Sequence, residues 1–145
     1  MKVLRMSVPT GTLLIALLAA CGGGGGSEEP YTTESGLTIQ VLQQGRGRAL
    51  VSGQQAVFRY TVWLADGTRV ESNDPEHGGE GRAIAARIGQ GRVIRAWDEG
   101  IVGMRPGEIR RLTAPPELAW GDEGSGEMIP PGATLTFEIR LLEIR

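Results

Sequence analysis

Leu135, Phe137, Ile139 and Leu141 alternate with Thr136, Glu138 and Arg140 near the C-terminus. A period of two places the apolar set on one face of a pleated strand and the polar set on the other. A strand written this way needs a sheet around it, with one face covered and one face wet. Two more segments carry the same pattern. Leu37, Ile39 and Val41 share a face opposite Thr38 and Gln40, and Phe58, Tyr60, Val62 and Leu64 line another strand. That second strand stops at Asp66-Gly67, a hairpin signal that returns the chain through Arg69 to Ser72. Glu108 to Thr113 reads as a further strand with imperfect alternation. One segment has helical spacing: Ile94, Trp97, Ile101 and Met104, with Arg95, Asp98 and Glu99 on the outer side. A helix of about two turns does not hold alone in water, so it must pack on the sheet with Trp97 toward the concave face. The expected fold class is α+β: a curled antiparallel β-sheet of about five strands wrapped around one short α-helix.

The N-terminus is separate from this domain. Lys2 and Arg5 precede an unbroken apolar run from Leu13 to Ala20, too short for a membrane span of roughly 20 residues. Leu18-Ala19-Ala20-Cys21 resembles the cleavage box of bacterial lipoproteins, in which the Cys thiol is acylated. Residues 1–20 are therefore expected to be a lipoprotein signal peptide. Residues 21–32 are the lipidated Cys21 with a flexible Gly/Ser/Glu linker, and 33–145 are the folded domain. Gly22 stands where inner-membrane lipoproteins of many Gram-negative bacteria carry Asp. The expected location is thus the outer membrane, facing the periplasm.

Composition removes several function classes. Without the leader, 13 basic residues face 17 acidic ones, a net charge of about −4. That balance provides no footprint for nucleic acid and no cationic stretch for anionic lipid, so membrane attachment rests on the lipid anchor alone. Lys2 is the sole Lys and Cys21 the sole Cys, which leaves the domain without Schiff-base chemistry or a disulfide. His77 is the sole His, and its segment Asp74-Pro75-Glu76-His77-Gly78-Gly79-Glu80-Gly81 reads as an exposed turn among solvated carboxylates. Neither a zinc site nor a Ser-His-Asp triad can be assembled from it, so no metal and no cofactor is expected. Gly89-Gln90-Gly91 lacks the flanks of a phosphate loop, and Asp98-Glu99 reads as a solvated helix face.

Of seven aromatic residues, Phe58, Tyr60, Trp97 and Phe137 fall on predicted inward faces. Periodicity alone would describe an ordinary core in the same way. Two loops distinguish this chain: Gly89 to Trp97, leading into the helix, and Leu118-Ala119-Trp120-Gly121, leading to Met128 through Thr134. Five segments come in a familiar order. They are Phe58-Arg59-Tyr60-Thr61; Leu64-Ala65-Asp66-Gly67-Thr68; Val93-Ile94-Arg95-Ala96-Trp97-Asp98-Glu99-Gly100; Gly103-Met104-Arg105-Pro106-Gly107-Glu108; and Ile129-Pro130-Pro131-Gly132-Ala133-Thr134-Leu135-Thr136-Phe137. In these segments, and across Ser35 to Arg145, the chain resembles the FKBP-type peptidyl-prolyl cis–trans isomerases.

The resemblance implies catalytic roles for Tyr60, Glu71, Ile94, Trp97 and Phe137, with Trp97 as the pocket floor and the Ile94 N–H binding a substrate carbonyl. It implies substrate-binding walls at Val70, Ile84, Val93, Trp120 and Ile129. Val70-Glu71 stand where many active relatives have Phe-Asp, Ile84 and Ala86 where aromatics are usual, and Trp120 where a Tyr is usual. The implied partners are proline-containing peptides, unfolded exported proteins and, with weakened affinity, macrolides of the FK506 or rapamycin type. Nothing resembles the dimerising extensions of some relatives, so a monomer is expected. The function implied is isomerisation of Xaa-Pro bonds in exported proteins, and the alternative is a non-catalytic peptide-binding or chaperone module using the same pocket.

Overall fold

β7 (Leu135–Ile144) is paired along both edges, with β3 (Gln55–Leu64) on one side and β6 (Ile109–Ala114) on the other. The computed structural model describes residues 27–145, so the expected leader at 1–20, Cys21 and the glycine run at 22–26 lie outside the described residues. β2 (Thr38–Gln43) adds to the free edge of β6, and the two-residue β1 (Tyr31–Thr32) adds to β2. β4 (Arg69–Ser72) and β5 (Ile84–Arg87) divide the remaining edge of β3, with β5 against Gln55–Phe58 and β4 against Thr61–Trp63. The result is a seven-stranded sheet in the order β1-β2-β6-β7-β3-β4, with β5 beside β4 on the same edge of β3 and every pair antiparallel.

The two strands beyond the expected five are β1 and β5. Neither has alternation long enough to read: β1 is two residues and β5 is Ile-Ala-Ala-Arg. Their pairing with β2 and β3 makes them strands. The first strand accordingly begins at Tyr31, ahead of the expected start at Thr33.

The alternating sets are buried as the sequence predicts, except in β3, where Tyr60 and Leu64 are only partly buried and Thr61 is fully buried. Leu135, Phe137, Ile139 and Leu141 are fully buried, as are Leu37 and Phe58, with Ile39, Val41 and Val62 nearly so. α1 (Arg95–Gly100) lies across this inner face, burying Ala96, Trp97 and Gly100. Its fit against β6 depends on Gly100, because a Cβ there would sit 2.5 Å from Leu112 Cδ1. The chain leaves α1 through Ile101 and reaches Met104, both fully buried.

The imperfect alternation around Glu108 also has a cause. Glu108 is 3% exposed, and its Oε1 accepts from Arg110 Nε at 2.5 Å while its Oε2 accepts from the Arg105 N–H at 2.9 Å. Arg110 in turn donates to the carbonyls of Gly100 and Val102. A buried ion pair therefore ties the end of α1 to β6, and polar residues occupy positions where a purely apolar strand would have none. Each charge has partners, the condition under which burial is tolerated.

Candidate active site

Trp97 is the centre of an aromatic cluster assembled from three parts of the chain. Its ring meets Phe58 edge-on at 5.4 Å between centroids, Phe137 edge-on at 5.7 Å, and Tyr60 tilted at 4.9 Å. Trp120 adds a further ring 6.4 Å from Phe137. Edge-to-face and tilted arrangements at these separations suit the charge distribution of aromatic rings. Trp97 is 9% exposed, and its indole N–H has no hydrogen-bond partner among the described residues. The neighbours of the indole are rings and aliphatic carbon, so this centre is dry and apolar.

Each wall is held by a local device. β3 presents Phe58, Tyr60 and Val62 to the inner face, and β7 presents Phe137 opposite Val62. The Val62/Trp63 register shift in the β3–β4 pair leaves Val70 without a cross-strand partner, while Glu71 faces Val62 and Arg69 faces Trp63. A bulge lets two successive residues lean to one face. Val70 thus packs on the core cluster while Glu71 reaches Tyr60. Ile129 is buried and clamped by reciprocal backbone bonds with Ser125, at 2.9 and 3.1 Å. Gly124 runs against the Ile129 carbonyl with φ +68°, a place that admits no Cβ. Ile84, Val93, Ile94 and Trp120 are partly buried against the same core.

The polar edge of the site is the Tyr60–Glu71 pair. The Tyr60 hydroxyl donates to Glu71 Oε1 at 2.8 Å. Burial, together with the bond to Glu71 and its negative charge, pushes the phenol pKa up to about 12. The hydroxyl is therefore a neutral donor at physiological pH. Tyr60, Glu71 and Ile84 border an open recess of about 470 Å³, lined also by Asn73, Gly78, Gly79, Glu80 and Arg82. Among the described residues the Ile94 N–H is paired with no acceptor, while the Ile94 carbonyl accepts from the Trp97 and Asp98 N–H groups. The structure thus brings Tyr60, Glu71, Val70, Ile84, Trp97, Phe137 and Trp120 to one side of the sheet, with Val93, Ile94 and Ile129 at the loops around it.

Three expectations about charged residues need correction. Asp98 is half-buried and engaged, not a free helix-face carboxylate: it accepts from the Gly89 N–H and the Gly91 N–H, both at 2.7 Å. It anchors the loop that carries Val93 and Ile94. Glu99 is likewise engaged, accepting from Thr33 Oγ1 at 2.7 Å and from Ser35 Oγ at 2.6 Å, which fastens the N-terminal segment to α1. The Asp74–His77 segment is a 3₁₀ turn, but not a freely solvated one, because Asp74 is buried and His77 packs edge-on against Trp63 at 5.1 Å. Asn73 is a site residue that sequence reasoning misses. Its Oδ1 accepts from the Tyr60 N–H at 2.6 Å and its Nδ2 donates to the Arg82 carbonyl. A lone Asn after a strand gives no signal by itself; for Asp98 the available hint is a Gly-rich loop just ahead of an acidic helix start.

Among the described residues no three His, Cys, Asp or Glu side chains form a group able to hold a metal ion. What remains is an apolar floor, one neutral hydroxyl donor and backbone N–H groups. Residues 47–142 match the sequence profile of the family described as FKBP-type peptidyl-prolyl cis-trans isomerase. The chain belongs to that family. An FK506-binding protein of Neisseria meningitidis serogroup B is 41% identical over 109 residues, covering 75% of this chain and 96% of the relative. FK506-binding protein 1A of Emericella nidulans is 38% identical over 110 residues, covering 75% and 98%. Among solved structures, AtFKBP13 superposes with a TM-score of 0.71 at 33% identity, covering 81% of this chain and 99% of that one. FkpA from Escherichia coli gives 0.70 at 33% identity, covering 80% of this chain and about half (51%) of the other. The curled sheet over one short helix is thus the FKBP fold, and every residue of the aromatic cluster lies within the span that matches the FKBP-type profile.

Proposed function

We propose that the domain isomerises Xaa-Pro bonds of exported proteins, and that a lipid on Cys21 holds it at the outer membrane facing the periplasm. The observation that carries the catalytic part is the Trp97 cluster with the Tyr60 hydroxyl at its edge. The barrier to rotation about a peptide bond, roughly 18–20 kcal/mol, comes from amide conjugation. Twisting the bond destroys that conjugation and with it part of the charge separation of the planar amide. An apolar, water-excluding floor favours the less polar twisted form over the planar one, so binding acts selectively on the transition state. Every 1.4 kcal/mol or so gained in this way is about tenfold in rate. The Ile94 N–H holds the substrate carbonyl, Phe137, Val93 and Ile129 enclose the proline ring, and Tyr60 with Glu71 borders the residue on the polar side.

Val70 and Ile84 are smaller than aromatic walls, and Ala86 smaller still. They widen the pocket, which lowers the expected rate and weakens macrolides of the FK506 or rapamycin type. That same observation favours a second reading, a peptide-binding or chaperone module that uses the pocket without accelerating isomerisation. A protease-free assay on a panel of Xaa-Pro peptides separates the two. Acceleration above background supports the isomerase; saturable peptide binding without acceleration leaves the chaperone reading. Absence of both overturns the two readings and leaves a structural lipoprotein without a peptide site. The anchor is tested apart from catalysis, by globomycin-sensitive processing and by loss of membrane fractionation in Cys21→Ser.

A further inference from the structure

The chain between β4 and β5 passes over the outer face of the sheet and then returns around its edge to the site. On the outer face the loop is pinned at three points. Asp74 Oδ2 accepts from Arg140 Nε at 3.1 Å, Glu76 pairs with Arg140 Nη2, and His77 Nε2 lies 3.0 Å from Glu138 Oε1. Arg140 and Glu138 are the outward residues of β7, the strand that also supplies Phe137 to the site. Beyond His77 the chain turns at Gly78, φ +79°, and Gly79 packs directly on the Asn73 backbone. Gly78, Gly79 and Glu80 then line the recess beside Tyr60, Glu71 and Ile84. Asn73 joins the two ends of the loop to β3 at the Tyr60 amide.

We propose that His77 is a positioning residue for substrate: its contact with Glu138 holds the loop whose other end lines the recess beside Tyr60 and Glu71. This rests on the isomerase reading above. His77 Nε2 and Glu138 Oε1 lie 3.0 Å apart, within hydrogen-bond reach across 61 positions of chain. The groups facing His77 are balanced. Glu138, Asp74 and Glu76 supply negative charge; Arg111 on β6, Arg69 on β4 and Arg140 on β7 supply positive charge. Arg59 on β3 holds the Gly81 carbonyl at 3.2 Å, further along the loop. Glu138 is the partner in direct contact with the ring nitrogen, so loss of this contact frees the loop and weakens substrate binding.

The test uses the full chain, in which His77 is the sole imidazole. In His77→Ala, KM for a proline peptide is expected to rise by up to about fivefold, the scale of a partly exposed polar contact, with kcat unchanged. His77→Gln keeps a hydrogen-bond donor for Glu138, so its KM is expected to stay at the wild-type value. A His77→Ala variant with unchanged KM overturns the proposal, as does a His77→Gln variant whose KM rises as far. Amide NMR provides a readout independent of turnover: the Tyr60, Asn73 and Gly79 signals are expected to shift in His77→Ala and to stay in place in His77→Gln. If the wild type isomerises nothing, the isomerase reading fails while this coupling can still be measured. Amides that stay still in His77→Ala overturn the positioning role.

Discussion

β3 and β7 each present two faces, and the faces are built from different forces. On the inner side Phe58, Tyr60 and Phe137 surround Trp97, and the contact is ring against ring with little solvent. On the outer side Trp63, His77, Glu138 and Arg140 meet through hydrogen bonds and ion pairs that water reaches in part. Burial of apolar area is not screened, whereas charge pairs at a surface lose most of their Coulomb energy to solvent. The inner face therefore supplies stability and chemistry together. The outer face places a loop, with a small net effect on stability.

The largest effect that can break this comparison is at Trp97. Trp97→Ala should cost about 3–5 kcal/mol in chemical denaturation, because the emptied volume cannot collapse fully. It should also abolish isomerisation and peptide binding; a milder Trp97→Leu should stay folded and still lose activity. Activity unchanged in a folded Trp97→Leu variant means that the pocket lies elsewhere. Next comes Arg140→Ala on the outer face, which leaves the buried Asp74 carboxylate without its cation and should cost about 2 kcal/mol. A loss as large as that at Trp97 would erase the distinction between the faces.

Asp98→Ala should be smaller in stability, about 1 kcal/mol for two exposed charge-assisted hydrogen bonds. Its larger consequence is kinetic, since it releases the loop bearing Val93 and Ile94. KM should rise more than kcat falls. The smallest expected effect is seen only in alkali. Tyr60 has its pKa raised from 10.0 to about 12 in the fold, so the unfolded chain loses this proton first. The stabilisation is fully present below pH 10 and disappears as pH rises through 12. Melting temperature against pH should therefore fall less steeply above pH 10 in Tyr60→Phe than in the wild type.

The strands with full alternation are legible in the order of residues alone, as is the inward placement of the aromatics. Each of those signals is local: side chains two apart share a face, whatever the rest of the chain does. β5 and β1 are not legible, because four Ala-rich residues and a two-residue edge become strands through their neighbours. The roles of Asp98 and Glu99 are hidden for a related reason. A carboxylate on a helix looks solvated until the loop or terminus that donates to it has been brought near, and the donors to Glu99 come from Thr33 and Ser35.

By itself, then, the sequence determined which residues form the main strands, which face of the sheet is apolar, and the order of segments that marks the family. Tertiary structure decided how the site is edged. The bulge that turns Val70 inward beside Glu71 depends on the register of β4 against β3. The loop that lines the recess depends on His77 meeting Glu138, 61 positions away. Patterning acts over one or two turns of chain, while a bond between distant residues exists only after the backbone has paid the entropy of bringing them together.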